Sequence, residues 1–399
     1  MTTVASPLPG PTLKVDRAES RFRTLAAALL SLWGFAYLLG ITWDIQWHAD
    51  VGPDSFWTKS HLFFYAGAAL SGLIALWVLI TSTRRFHRGA TAVTAANTTP
   101  FLGYFRAPVG FLISGLGALS FILMGLFDLW WHTLFGFDIT LLSPPHFGLL
   151  FSGVAICVGG VYAFASEANR AMARGEGGLR HPATLGTLLA IALVLTQFSL
   201  FLNITVEIVP FLGAVITYPV VISVIFGIGL LAAASFLEQP GSATVVGLLF
   251  SLIRLLLHVM IGPLVRWEAG LEGLPFKENA IGPILPSYVS FLAPALIFVA
   301  GLVIDVALWA ARRYGLRGRS VVWVTAALAM VVNTLGDRRW VVYFETTRTY
   351  FAPDRTVLNQ VLARFDQALL PTLAICAVVG ALAGWLGWNF GISLRTTKQ

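Results

Sequence analysis

Ten stretches of this chain are apolar enough to cross a bilayer, and no other property restricts its fold so strongly. They run roughly over residues 24–48, 61–82, 107–133, 146–168, 183–206, 209–237, 243–264, 287–311, 320–336 and 367–390, the ninth being the shortest. A hydrocarbon layer offers no water to backbone amides and carbonyls, so a crossing segment must satisfy them internally. About 20 residues of helix do this over roughly 30 Å. With 57% hydrophobic and 11% charged residues among 399, the chain is not a soluble globular domain. The expected fold is an all-α, polytopic integral membrane bundle of about ten transmembrane helices.

Basic residues divide the connections into two sets. The N-terminal segment, 84–106, 170–180, 312–319 and the C-terminal tail carry 17 of the 26 Lys and Arg, which predicts cytoplasmic N and C termini. The net charge of +7 is largely this topology signal and requires no nucleic-acid partner. Arg21 and Arg23 precede an apolar run without a small-residue cleavage site, so the first helix is expected to be retained in a cytoplasmic (inner) membrane. Cys157 and Cys376 each lie inside an apolar span, which suggests neither a disulfide nor a thiolate metal site. Three parts are expected: a disordered cytoplasmic arm over 1–21, a four-helix region over 22–168, and a region of about six helices over 169–399 with outer connections at 266–286 and 337–366. Either connection is a candidate membrane-surface lid, the second through DRTVLNQVLARF.

Within 22–168 one polar pattern occurs twice, first as WDIQWHADVGPDSFWTKSH from residue 43 and again as FDLWWHTLFGFDITLLSPPH from residue 127. Asp44 aligns with Asp128, Trp47 with Trp131, His48 with His132, Gly52 with Gly136, Asp54 with Asp138 and His61 with His146. The repeat offset of 84 residues covers two spans, so the two hairpins are a parallel internal repeat with their triads at one depth, toward the extracytoplasmic side. Asp and His four positions apart share a helix face. The second His, opening the next helix, can fold back onto them. Two imidazoles and one carboxylate form a set that binds non-haem iron, zinc or copper and leaves positions open for a substrate, oxygen or water. Asp54 and Asp138 are candidates to orient the imidazoles, or to begin the following helix.

Interfacial anchoring by Trp and solvated His is the plainer reading of one copy. It does not require six residues at matched spacing twice, and a carboxylate costs roughly 2.5–3.5 kcal/mol at the centre of a membrane helix, less toward its ends. Haem b held by facing histidines leaves the two aspartates without a role. Phosphate-loop, dinucleotide, nucleophile-elbow and haem-attachment motifs do not occur. Elsewhere, Arg254 lies in the middle of a span and needs a partner, for which Asp305 is the nearest acidic residue by depth. Glu207 and His258 lie toward the outer side and are possible auxiliaries of the triads. A transporter would use the repeats and Arg254, but its site is expected at the midplane and not at one face.

The string Asp44, Trp47, His48, Asp54, Ser60, His61 resembles the metal-binding segment of the C subunit of the copper membrane monooxygenases, the particulate methane and ammonia monooxygenases. There Asp-x3-His-x12-His supplies one copper site, and a later helix pair carries Asn-x3-His-x13-His. Asp128, His132 and His146 have the second spacing with Asp in place of Asn. The resemblance covers about residues 43–146. It implies neighbouring copper sites near the outer membrane face and oxygen-dependent oxidation of a small molecule arriving among Trp43, Trp47, Trp57, Trp130 and Trp131. It also implies partner membrane subunits and an electron donor. Lys59 and Ser60 depart from Pro144 and Pro145 of the second copy, leaving the turn before His61 without prolines; Asp337-Arg338-Arg339-Trp340 is only a faint echo of an A-subunit string. The expected function is metal binding, with copper favoured over iron or zinc, in a monooxygenase-like oxidoreductase. The alternatives are copper storage or delivery without catalysis and a structural or transport protein without metal; membrane lipid is the expected surrounding, and a homo-oligomer is compatible.

Overall fold

The computed structural model describes residues 17–52, 55–136, 143–200, 208–209, 215–277, 297–336 and 355–396. In chain order the elements are α1 (Arg17–Asp50), α2 (Lys59–His87), the short α3 (Thr91–Ala96), β1 (Thr99–Phe101), β2 (Phe105–Ala107), α4 (Val109–Phe135), α5 (Pro144–Ala173), α6 (Pro182–Ser199), β3 (Ile208–Val209), β4 (Val215–Ile216), α7 (Thr217–Leu237), α8 (Ser242–Glu272), α9 (Ile297–Arg313), α10 (Arg319–Gly336) and α11 (Arg355–Thr396). Nine of the described helices are long and apolar enough to cross a membrane. The span expected over 287–311 appears as α9, and its first ten residues lie outside the described set. The chain is therefore a helical bundle of multi-pass membrane type, with two antiparallel two-stranded ribbons, β1–β2 and β3–β4, in its connections.

Several boundaries differ from the sequence reading. Helix α1 already begins at Arg17, inside the expected arm, and the basic connection 84–106 contains α3, β1 and the start of β2. Helix α7 starts at Thr217 because Val215 and Ile216 pair with Ile208 and Val209 as strands. Helix α8 continues two turns past its expected end, to Glu272. DRTVLNQVLARF is not a separate surface helix: from Arg355 onward it is continuous with the last span. Asp337, Arg338, Arg339 and Trp340 lie outside the described residues.

The two hairpins, α1–α2 and α4–α5, pack into one four-helix unit. Close approach depends on small residues: a Cβ on Gly67 would stand 2.6 Å from the Tyr37 nitrogen, and one on Gly40 2.6 Å from the Phe64 nitrogen. Tyr37, Phe64 and Phe121 form the shared core, with ring centroids 5.6 Å apart for Tyr37–Phe121 and 5.9 Å for Phe64–Phe121. The Tyr37 hydroxyl donates to the Leu149 carbonyl at 2.5 Å, so all four helices meet there. Helix α6 joins α5 to α8, and α7, α9, α10 and α11 pack beyond them.

The end of the bundle opposite the triads is closed by charge. Glu19 accepts from Arg23 at 2.5 Å and from Arg85 at 2.9 Å, while Glu167 accepts from Ser20 at 2.6 Å and pairs with Arg170. Arg170 and Arg23 also donate to the Asn97 side chain and carbonyl at 3.1 and 3.3 Å. The starts of α1 and α11's last turns share this end: Arg17 pairs with Glu176, and Asn169 of α5 donates to the Leu394 carbonyl at 2.8 Å.

Candidate metal centres

Helix α1 must stop for its two polar residues to meet anything outside their own helix. The stop is Gly52, whose φ of +126° is a left-handed value that favours glycine, with its N–H donating to the Trp47 carbonyl at 3.2 Å. Gly136 does the same for α4, with φ +76° and its N–H on the His132 carbonyl at 3.1 Å. The aligned glycines are thus helix stops placed four residues after the first histidine. Both turns then lead into a helix whose first turn carries the second histidine.

In the first hairpin Asp44 Oδ2 lies 3.8 Å from His48 Nε2, and Asp44 Oδ1 lies 3.0 Å from His61 Nε2. In the second, Asp128 Oδ1 lies 3.6 Å from His132 Nε2 and 3.5 Å from His146 Nε2. In each triad one donor atom per residue falls within 4.8 Å of the other two. Donors bound to a single ion at about 2.0–2.1 Å stand roughly 3–3.5 Å from one another, so both sets fit one small divalent ion with little movement. Each histidine pair is directed at the aspartate of its own hairpin, which makes two separate three-residue groups.

The residues behind these donors fix their orientation. Ser60 Oγ donates to Asp44 Oδ1 at 2.9 Å. His132 Nδ1 stands 2.9 Å from the Gly136 carbonyl, which only accepts, so Nδ1 carries a proton and Nε2 is the nitrogen turned toward Asp128. The second triad is evenly part-buried, whereas the His48 side chain is 45% exposed against 16% for His61.

The aligned tryptophans part company. Trp47 and its neighbour Trp43 are fully buried, Trp43 packing on Trp267 of α8 at 6.1 Å. Trp131 is half-buried against Phe135 at 4.4 Å, and Trp57 and Trp130 lie on the surface. Asp54, Asp138 and Glu207 lie outside the described residues. His258 is half-buried on α8.

Arg254 and Asp305 are not brought together. The Asp305 carboxylate accepts from the Ala243 and Thr244 amides at 3.4 and 2.8 Å and from Thr244 Oγ1 at 2.6 Å, capping the start of α8. Arg254 is ten residues further along that helix, about 15 Å, and donates to Ser199 Oγ at 3.3 Å. Depth alone misassigned the pair, because the open amides of a helix N-terminus are themselves a partner for a carboxylate.

Sequence reading did not find the groups that the end of α8 and the residues just after it contribute to the first centre. Glu268 Oε1 accepts from the Lys59 amide at 2.5 Å, Lys59 Nζ pairs with Glu272 at 2.8 Å, and Lys277 Nζ donates to the His48 carbonyl at 2.7 Å. Their signal was the acidic pair four residues apart in RWEAGLEG, at the end of an otherwise apolar helix. Comparison with protein-family models, characterised proteins and solved structures found no match to this chain.

Proposed function

We propose that this chain is a membrane metal-binding protein holding one ion in each hairpin, with copper the favoured ion, and that it acts in oxygen-dependent oxidation of a small substrate, as a relative or analogue of the C subunit of the copper membrane monooxygenases. The observation that carries the reading is the convergence, twice, of Asp, His and His within 4.8 Å at matched sequence spacing. The order of the two spacings, x12 and then x13 between the histidines, supports the likeness to that subunit. The basic connections support a topology with cytoplasmic termini and both centres toward the extracytoplasmic face of the inner membrane.

Three protein ligands leave positions on the ion for dioxygen or substrate, and a bound copper would supply the redox chemistry. The chain's own residues do the rest. Asp44 and Asp128 each bring a carboxylate between two imidazoles, Ser60 holds the Asp44 carboxylate, and the Gly136 carbonyl holds the His132 ring by Nδ1. An apolar substrate would approach from the bilayer past the surface Trp57 and Trp130. A second reading, copper delivery without catalysis, draws on the 45% exposure of His48, which gives a chelator or partner direct access to one ligand.

The test is metal analysis of detergent-purified protein reconstituted with copper, iron or zinc, beside the double variant His48→Ala, His132→Ala. Copper near one equivalent per triad, lost in the double variant while the protein still inserts, is the expected result. Unchanged metal content in that variant overturns the reading. Oxygen consumption with small hydrocarbons or ammonia then separates oxidation from delivery, which instead predicts rapid release of copper to a chelator.

A further inference from the structure

Helices α2 and α5 each deliver the second histidine of a triad from their first turn, but they begin differently. In α5 the N-cap is Ser143, whose Oγ accepts from the His146 amide at 3.4 Å, followed by Pro144. In α2 the N-cap Thr58 makes no such bond; its Oγ1 accepts instead from the Ser55 amide at 2.8 Å. The open amide at the start of α2 is taken by the carboxylate of Glu268, more than 200 residues away in sequence on α8. Glu268 is fully buried and its second oxygen, Oε2, has no hydrogen-bond partner. The next residue after Lys59 is Ser60, which donates to Asp44, and the one after that is His61.

We propose that Glu268 is a positioning residue of the first metal centre. By capping α2 from outside, it fixes the turn that sets both the Ser60–Asp44 hydrogen bond and the place of His61. The Lys59–Glu272 pair ties the same end of α8 to α2, and Lys277, just after α8, donates from its amide and Nζ to the Asp50 and His48 carbonyls of α1 at 2.8 and 2.7 Å. Among the described residues the first centre is therefore built from three helices and the second from two. The C-terminal bundle, which carries α8, is by this route part of the first centre.

This inference rests on the metal reading, and the experiment separates the two. Full-length protein in detergent is titrated with copper(II) and followed by electron paramagnetic resonance, comparing wild type, Glu268→Ala and Glu268→Gln, each also in an Asp128→Ala background that leaves only the first centre. Removing a residue that orients a ligand typically weakens a metal site by about 10–100-fold; Glu268→Ala is expected to do this at the first centre alone and to alter that centre's spectrum. Glu268→Gln keeps an acceptor oxygen for the Lys59 amide and is expected to restore both. The second centre's signal reports that each variant is folded. Equal weakening of both centres, wild-type behaviour of Glu268→Ala, or no rescue by Gln overturns the positioning role. A wild type that binds no copper overturns the metal reading beneath it. Hydrogen exchange over residues 59–62 gives a metal-free check: Glu268→Ala must speed exchange there and not over 144–147, and unchanged exchange at 59–62 refutes the cap.

Discussion

Asp44 and Asp128 stand one turn before the first histidine of their triads, yet their surroundings have little in common. Behind Asp44 lie Ser60, two fully buried tryptophans and the end of α8. Behind Asp128 the neighbouring ring system is half-buried Trp131 on Phe135, on a helix whose face of Leu119, Ile122, Leu126 and Trp130 is exposed. Among the described residues, one centre is backed by a third helix and the other by the rings of its own hairpin. A duplicated segment fixes what is local in each copy, namely the helix face, the glycine stop and the ligand types. It does not fix what the rest of the chain later packs against it.

The largest effect is expected where the first hairpin is forced apart. A side chain at Gly67 would meet the backbone of Tyr37 and Trp33 at 2.6–2.8 Å, contacts that only a shift of α1 against α2 can relieve. Gly67→Leu is expected to cost at least about 1–3 kcal/mol, the range for overpacking in a tight interior, and to remove copper from the first centre. If the two hairpins are as separate as their triads, the second keeps its copper. Thermal melting in detergent with metal analysis reads both, and loss of both equivalents together would show that the two centres share one cooperative unit.

Next in size are the aspartates themselves. Asp44→Ala and Asp128→Ala should each abolish one equivalent. Asp44→Ala should also melt at a lower temperature, because it strands the fully buried Ser60 hydroxyl, a loss of about 1–3 kcal/mol for an unsatisfied buried group. Equal melting temperatures for the two variants would mean that burial around Asp44 contributes nothing to stability.

The same division between local and distant explains what could be read in the sequence. The spans were legible because lipid enforces helix and apolarity residue by residue. Asp44, His48 and His61, like their counterparts, were legible because a one-turn spacing and a glycine stop act over less than twenty residues. Glu268 was not legible: its partner Lys59 lies on a different helix, and nothing in the local pattern of α8 specifies the contact. The failed pairing of Arg254 with Asp305 has the same origin. Asp305 caps α8 and Glu268 caps α2, each supplying from another helix what Gly241 and Thr58 do not supply locally. A carboxylate that hydropathy marks as costly in the membrane is, in both places, stabilised by helix amides. The first turn of a helix with no Ser, Asp or Asn free to cap it is therefore where an intramembrane acid should be sought.

The two serines give the smallest and most discriminating contrast. Ser143 caps the amide of the ligand His146 itself, so Ser143→Ala should cost about 1 kcal/mol, the usual value of an N-cap. Pro144 still presets the helical turn, and copper affinity at the second centre should therefore fall little. Ser60 caps nothing; its hydroxyl orients Asp44, and Ser60→Ala should cost a comparable 0.5–1.5 kcal/mol or so while weakening copper at the first centre by about tenfold or more. Similar melting temperatures with unequal copper affinities are thus expected from two substitutions that remove the same atom. If Ser143→Ala proves the more harmful to copper binding, the local cap governs the ligand more than the hydrogen bond to the carboxylate does, and the first centre's dependence on groups outside its own turn is of less account than the geometry of α8 implies.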